Sequence, residues 1–173
     1  VGSGGPGIAD ALPAPGFDAR QVRTLDQWGC STPQIFSDVS PKMHAEFALD
    51  YEIRWMSQFG LNYYGCCDAL HKKIHLLRRI PNLRKVSVSP WADPQKMAEG
   101  IGQEVVLSYK PNPSIFAEEG FNLPAARRTL EHALEQMRGC NVEIIMKDIS
   151  TVRRDPRRLW LWAEMAVDVA HAQ

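Results

Sequence analysis

The run Leu61-Asn62-Tyr63-Tyr64-Gly65-Cys66-Cys67-Asp68 begins as a strand-like segment and ends in two thiols and a carboxylate, which are soft and hard metal-ligand types side by side. Three further apolar runs end the same way. Arg84 to Ser89 stops at Pro90-Trp91-Ala92-Asp93, Glu104 to Ser108 stops at Tyr109-Lys110-Pro111-Asn112-Pro113, and Val142 to Met146 stops at Lys147-Asp148. Parallel strands deliver the residues at their C-terminal tips to one side of a sheet, so these four ends bring thiols, amines and acids to a common mouth.

Each group has a chemical reading and a structural one. Cys66 and Cys67 serve either as metal ligands or as small apolar side chains packed at a strand end. Lys110 sits in prolyl-stiffened backbone at a strand tip, which holds a cation toward the mouth to anchor a carboxylate or phosphate; alternatively the prolines simply stop the strand. Lys147 and Asp148 pair with each other as ordinary rim charges, or act as ligand anchor and as metal ligand or general base. Tyr64, Asp68, Ser89 and Asn112 stand at the same tips as candidate substrate contacts, and Asp26 and Trp28 are placed near a preceding strand region where they would line the pocket. His71 and His75, four apart on an expected helix, read as part of a solvated basic face with Lys72, Lys73, Arg78 and Arg79. His44 and His132 read as surface residues, Met43, Trp55, Trp160 and Trp162 as core or helix-packing residues, Cys140 as packing, and Cys30 as a loop cysteine with no partner by spacing. The run Arg153-Arg154-Asp155-Pro156-Arg157-Arg158 offers phosphate binding at a helix start, but Asp155 is better explained as a cap.

The elements that must position these groups follow from punctuation. Ser40-Pro41 supplies an N-cap hydroxyl and a proline at the first helical position, followed by apolar residues at helical spacing to Phe59 and a stop at Gly60. The device recurs at Asp93-Pro94 and Asp155-Pro156, and Asn122 precedes a helix with Pro124 in its first turn. The expected order is helix 40–59, strand 61–65, helix 69–79, strand 84–89, helix 94–100, strand 104–108, helix 123–138, strand 142–147 and helix 156–171. Such alternation implies an α/β fold of four parallel strands with right-handed crossovers. The alternation alone is compatible with half of an eight-fold barrel and with an open doubly wound sheet. Residues 1–39, rich in Gly and Pro, read as irregular connection in which only Val22 to Trp28 carries a weak short-strand or turn pattern, with residues 40–173 forming the α/β unit.

Composition excludes several classes. The chain has 173 residues, 45% of them apolar, enough for one compact core. Twenty basic side chains balance twenty acidic ones, so no global charge favours nucleic acid or an anionic membrane. No apolar stretch spans a bilayer, no secretory leader is evident, and adjacent cysteines are unlike a disulfide scaffold, so reduced thiols and a cytoplasmic location are expected. The glycine-rich Gly2 to Gly7 lacks the strand and the Lys-Ser or Lys-Thr that a phosphate loop needs. The absence of an initiator Met reads as a fragment.

Tyr63-Tyr64-Gly65-Cys66-Cys67-Asp68, Ile80-Pro81-Asn82-Leu83-Arg84-Lys85-Val86-Ser87-Val88-Ser89-Pro90-Trp91, Ser108-Tyr109-Lys110-Pro111-Asn112-Pro113 and Ile145-Met146-Lys147-Asp148-Ile149-Ser150-Thr151 together resemble a bacterial branch of the uroporphyrinogen decarboxylase-like superfamily, which includes cobamide-dependent methyltransferases. The resemblance, over about residues 20–173, implies the C-terminal half of a (β/α)8 TIM-type barrel with the N-terminal half lying outside this sequence. It implies one of two activities. In methyl transfer a zinc ion activates a thiol toward a methyl group on a corrinoid carried by a partner protein; Tyr64-Gly65-Cys66 falls where the family's His-x-Cys is expected and Lys147-Asp148 near its last cysteine ligand, so Cys66 alone matches, and Cys66, Cys67 and Asp148 form the alternative zinc set. Two adjacent thiols reach one ion only if the strand has turned at Gly65. The second activity is decarboxylation of tetrapyrrole acetate groups, which in the family relies on arginine and aspartate of early strands outside this sequence; within it, Lys110 and Lys147 are the groups that would hold the carboxylates of such a substrate without a metal. A third possibility is a non-catalytic binding protein on the same fold. Open strand edges in a half barrel imply that the fragment either self-associates or is marginally stable alone.

Overall fold

In the computed structural model, residues 15–172 are described; Gly2 to Gly7 and the rest of the first 14 residues lie outside them. Among the described residues five strands form one all-parallel sheet in the order β1-β2-β3-β4-β5: β1 Trp28–Ser31, β2 Leu61–Tyr64, β3 Leu83–Val88, β4 Val106–Tyr109 and β5 Val142–Ile144. Spatial order follows chain order without reversal. A doubly wound sheet reverses at a switch point and carries helices on both faces, whereas unreversed right-handed crossovers put every helix on one face and curl the sheet as in part of an α/β barrel.

Five strands rather than four is a correction, and the extra one is β1, inside the segment expected to be irregular. Trp28 to Ser31 pairs in register with Leu61 to Tyr64. Its sequence carries little strand signal because Gly29 serves close packing, a Cβ there falling 2.7 Å from the Phe59 ring.

The helices follow their caps. Ser40 Oγ accepts from Met43 N ahead of α1 Pro41–His44, which continues through a π turn Ala45–Leu49 into α2 Asp50–Met56. A 3-10 turn at Leu70–Lys72 and the single turn α3 Ile74–Leu77 replace the longer helix expected over 69–79. Asp93 caps α4 Pro94–Ile101 by accepting from Lys96 N. The short α5 Ser114–Ala117 was not expected; α6 Leu123–Gln136, capped by Asn122, and α7 Arg157–His171 were. No helix among the described residues is long and apolar enough to cross a membrane.

Alternation along the strands separates two faces. Tyr64, Val86, Leu107 and Val142 align across the sheet on the helix-covered side and join Leu49, Met56, Leu77, Met97, Leu134, Met137 and Val169 in the core. The opposite, inner face carries Tyr63, Lys85, Ser87, Ser108 and Glu143. Several side chains differ from expectation. Met43, Trp55 and Trp160 are exposed, and only Trp162 of that group is buried. His44, expected at the surface, is buried between Lys73 Nζ, 3.0 Å from its Nδ1, and Tyr64 Oη, 2.9 Å from its Nε2. Lys73, expected in a solvated basic face, is buried and donates to Phe36 O at 2.6 Å.

β2 ends at Gly65, whose φ of +94° an L side chain rarely adopts; a Cβ there meets Leu70 Cδ1 at 2.5 Å. This turn aims the following thiols. Gly65→Ala is expected to destabilise the chain by about 2 kcal/mol or more, measured by urea denaturation; a loss below about 0.5 kcal/mol contradicts that assignment.

Candidate functional site

The C-terminal tips of β2, β3, β4 and β5 converge on one polar rim. After the Gly65 turn both thiols lie on the same side, with Cys66 Sγ and Cys67 Sγ 3.6 Å apart. β5 hands over to Lys147 and Asp148, the latter at φ 58°. Lys147 Nζ lies 2.9 Å from Cys66 Sγ, 3.6 Å from Cys67 Sγ and 3.1 Å from Asp148 Oδ2. Cys67 Sγ in turn donates to Asp148 Oδ2 at 3.6 Å. Burial disfavours the charged form of Lys147, yet its bonds to Cys66 and Asp148 outweigh that and raise its pKa above the usual lysine value. Burial, and then the hydrogen bond with Cys66, push the Cys67 thiol up.

This arrangement tests the expected zinc set. Among the described residues no three His, Cys, Asp or Glu side chains are grouped to hold a metal ion. The Lys147 ammonium occupies the space between the two thiols and Asp148, so as placed these donors fit a cation supplied by the chain itself rather than zinc.

Lys110 follows β4 and turns back over the inner face. It is only 4% exposed. Its Nζ donates to Tyr63 Oη at 2.6 Å and to Ser87 Oγ at 2.7 Å, and it stands 5.2 Å from the centre of the Tyr63 ring. Ser87 Oγ donates onward to the Cys66 carbonyl at 2.5 Å, linking the two halves of the rim. Among the described residues Lys110 makes no ion pair with a carboxylate, in contrast to Lys85, which pairs with Glu143 at 2.6 Å further down the same face. Burial, and then repulsion from Lys147, lower the Lys110 pKa to about 8. Burial likewise pushes the Tyr63 hydroxyl up to about 12, so it keeps its proton at neutral pH.

The other candidates are placed as follows. Asp68 and Ser89 are buried at the tips but engaged internally: Asp68 accepts from Cys66 N and Ser37 Oγ, and Ser89 Oγ donates to Asp68 O. Asn112 Oδ1 accepts from Ser114 N at the start of α5. Tyr64 points to the helix-covered side, where it donates to Glu52 at 2.7 Å. Asp26 and Trp28 lie at the N-terminal end of β1, away from the rim. Asp26 is buried against Arg23, and the Trp28 ring lies under Lys85 at 5.6 Å. His71 and His75 fall in separate elements, His71 Nδ1 accepting from Asp93 N. The structure thus gathers Cys66, Cys67, Lys110, Lys147 and Asp148, and adds Tyr63 and Ser87. The alternation of polar side chains along β2, β3 and β4 was the available signal for those two. No family model matches the chain, and no curated protein matches it.

Because Lys110 titrates lower in the folded chain than its ordinary 10.5, the unfolded state binds more protons between about pH 8 and 10.5, and Lys110's contribution to stability rises with pH across that window. Comparison with Lys110→Met cancels the other titrations. From pH 8 to 10 the wild type is expected to gain about 2 to 3 kcal/mol relative to this variant, read from paired denaturation curves; a constant difference contradicts the assignment.

Proposed function

We propose that the chain forms the C-terminal strand-tip mouth of a uroporphyrinogen decarboxylase-like (β/α)8 enzyme, and that this mouth takes a carboxylated substrate without a metal. The carrying observation is Lys110, a buried ammonium whose hydrogen-bond partners among the described residues are neutral and include no carboxylate. Such a cation leaves an anionic ligand as its natural counter-charge, and a charged hydrogen bond made out of water is stronger than one made in it. Lys110 anchors a substrate carboxylate, with Tyr63 and Ser87 fixing the direction of its protons. Lys147, held protonated by Cys66 and Asp148, faces the same mouth. When a carboxylate leaves as carbon dioxide, the electron pair of the broken carbon–carbon bond remains on the substrate and must be met by positive charge and then a proton. Lys147 is the rim group suited to both. Asp148 positions it.

A second reading, methyl transfer to a thiol with corrinoid and zinc, draws on the two thiols and Asp148 sharing one side of the rim. It requires Lys147 to leave the space it fills. The two readings separate on metal and anion together. The full chain, refolded with and without added zinc and passed through gel filtration, is expected to retain no stoichiometric zinc.

Titrated calorimetrically with benzene-1,2,4-tricarboxylate as a probe, the wild type is expected to bind at least tenfold more tightly than Lys110→Met, the scale of one lost charged hydrogen bond. Affinity should fall as pH rises through about 8, where free Lys110 loses its proton in the field of Lys147, Cys66, Glu143 and Cys67. One zinc per chain that is lost in Cys66→Ser, together with equal probe affinity in the wild type and Lys110→Met, overturns the carboxylate reading.

A further inference from the structure

The Cys66–Cys67 pair performs no step in the proposed decarboxylation, and its geometry carries a chemistry of its own. The two sulfurs are 3.6 Å apart on one side of the rim, neither is in a disulfide, and each is partly exposed. Their environments differ. Cys66 Sγ accepts from the Lys147 ammonium at 2.9 Å, whereas Cys67 Sγ donates its own proton to Asp148 Oδ2 at 3.6 Å. A thiol–disulfide exchange needs this division: one sulfur that attacks as thiolate with a cation beside it, and a second that keeps its proton until an acceptor takes it.

We propose that Cys66 and Cys67 form a reversible oxidation site, Cys66 attacking and Cys67 resolving, that converts to a Cys66–Cys67 disulfide with low-molecular-weight disulfides as oxidant. Cys66 thiolate attacks one sulfur of the oxidant, forms the mixed disulfide and expels one thiolate. Cys67 passes its proton to Asp148, attacks Cys66 Sγ and expels the second thiolate. One leaving thiolate takes up the proton that Cys66 gave to water on ionising and the other the proton held by Asp148, so the dithiol loses two electrons and two protons and the oxidant becomes two thiols.

The closure brings the sulfurs to about 2 Å. Consecutive Cα atoms are about 3.8 Å apart, below the roughly 4.4–6.8 Å usual for a disulfide, so the ring is strained and readily reduced. Oxidation removes the thiol partners of Lys147 at the mouth. This chemistry does not require Lys110 to bind a carboxylate.

The test uses the full chain, reduced with a phosphine, freed of metals by a chelator and exposed to oxidised glutathione. Intact mass and peptide mapping should show loss of two hydrogens, located at Cys66–Cys67, with no glutathione retained and full reversal by excess reduced glutathione. Cys67→Ser and Cys67→Ala should each trap one glutathione on Cys66, and Lys147→Met should slow the first step roughly three- to tenfold. A wild type that keeps a stable glutathione adduct, links chains through Cys30 or Cys140, or reacts as fast after Cys66→Ser as after Cys67→Ser overturns the proposal.

Discussion

An ammonium held out of water, with no carboxylate bonded to it among the described residues, is the constraint around which this rim is organised. Lys110 is buried on the inner face of the sheet, where Tyr63 and Ser87 accept its protons and the Tyr63 ring lies beside it. Those partners stand on β2 and β3. Their positions depend on the parallel register that aligns Val88 with Tyr109 and Tyr64 with Val86, so the strand pairing itself sets the cation's surroundings. Further down, Lys85 has Glu143 opposite, and there the charge is matched within the chain. The unmatched charge is at the mouth.

Beside it stands a second cation with the opposite balance. Lys147 is surrounded by two thiols and Asp148, and the same donors that a metal ion would use hold an ammonium instead. This depends on two backbone positions. Gly65 at φ +94° turns the chain so that adjacent thiols face one way, and Asp148 at φ 58° curls the end of β5 back toward them. Ser87 couples the two centres by accepting from Lys110 and donating to the Cys66 carbonyl, so a ligand that draws on one cation changes the surroundings of the other.

How far the sequence discloses this depends on whether the information is local. Caps are local: Ser40-Pro41, Asp93-Pro94 and Asn122 mark helix starts because one side chain answers one or two backbone amides within a turn. The runs at β3 and β4 are legible for the same kind of reason, being apolar on the covered side. β1 is not, because Trp28-Gly29-Cys30-Ser31 is an edge strand whose glycine answers a tertiary contact with Phe59 and Asn62. The gathering of Cys66, Lys110, Lys147 and Asp148 was readable, since parallel strands present their C-terminal tips together. Lys147 sitting among the thiols was not, since it rests on a left-handed residue far from Cys66 in sequence. Nor was the diversion of Asp68, Ser89 and Asn112 into loop and cap hydrogen bonds, which turns three apparent ligand contacts into scaffolding. A period-two reading of Tyr63, Lys85, Ser87, Ser108 and Glu143 shows in retrospect a polar inner face.

The most direct measurement is the ionisation of Lys110 itself, followed by NMR of lysine labelled with carbon-13 at Cε, with the resonance assigned by its loss in Lys110→Met. The account predicts a titration near pH 8, far from the ordinary 10.5, moving upward when a carboxylate ligand is added. A titration at the ordinary value, unmoved by carboxylate, contradicts it.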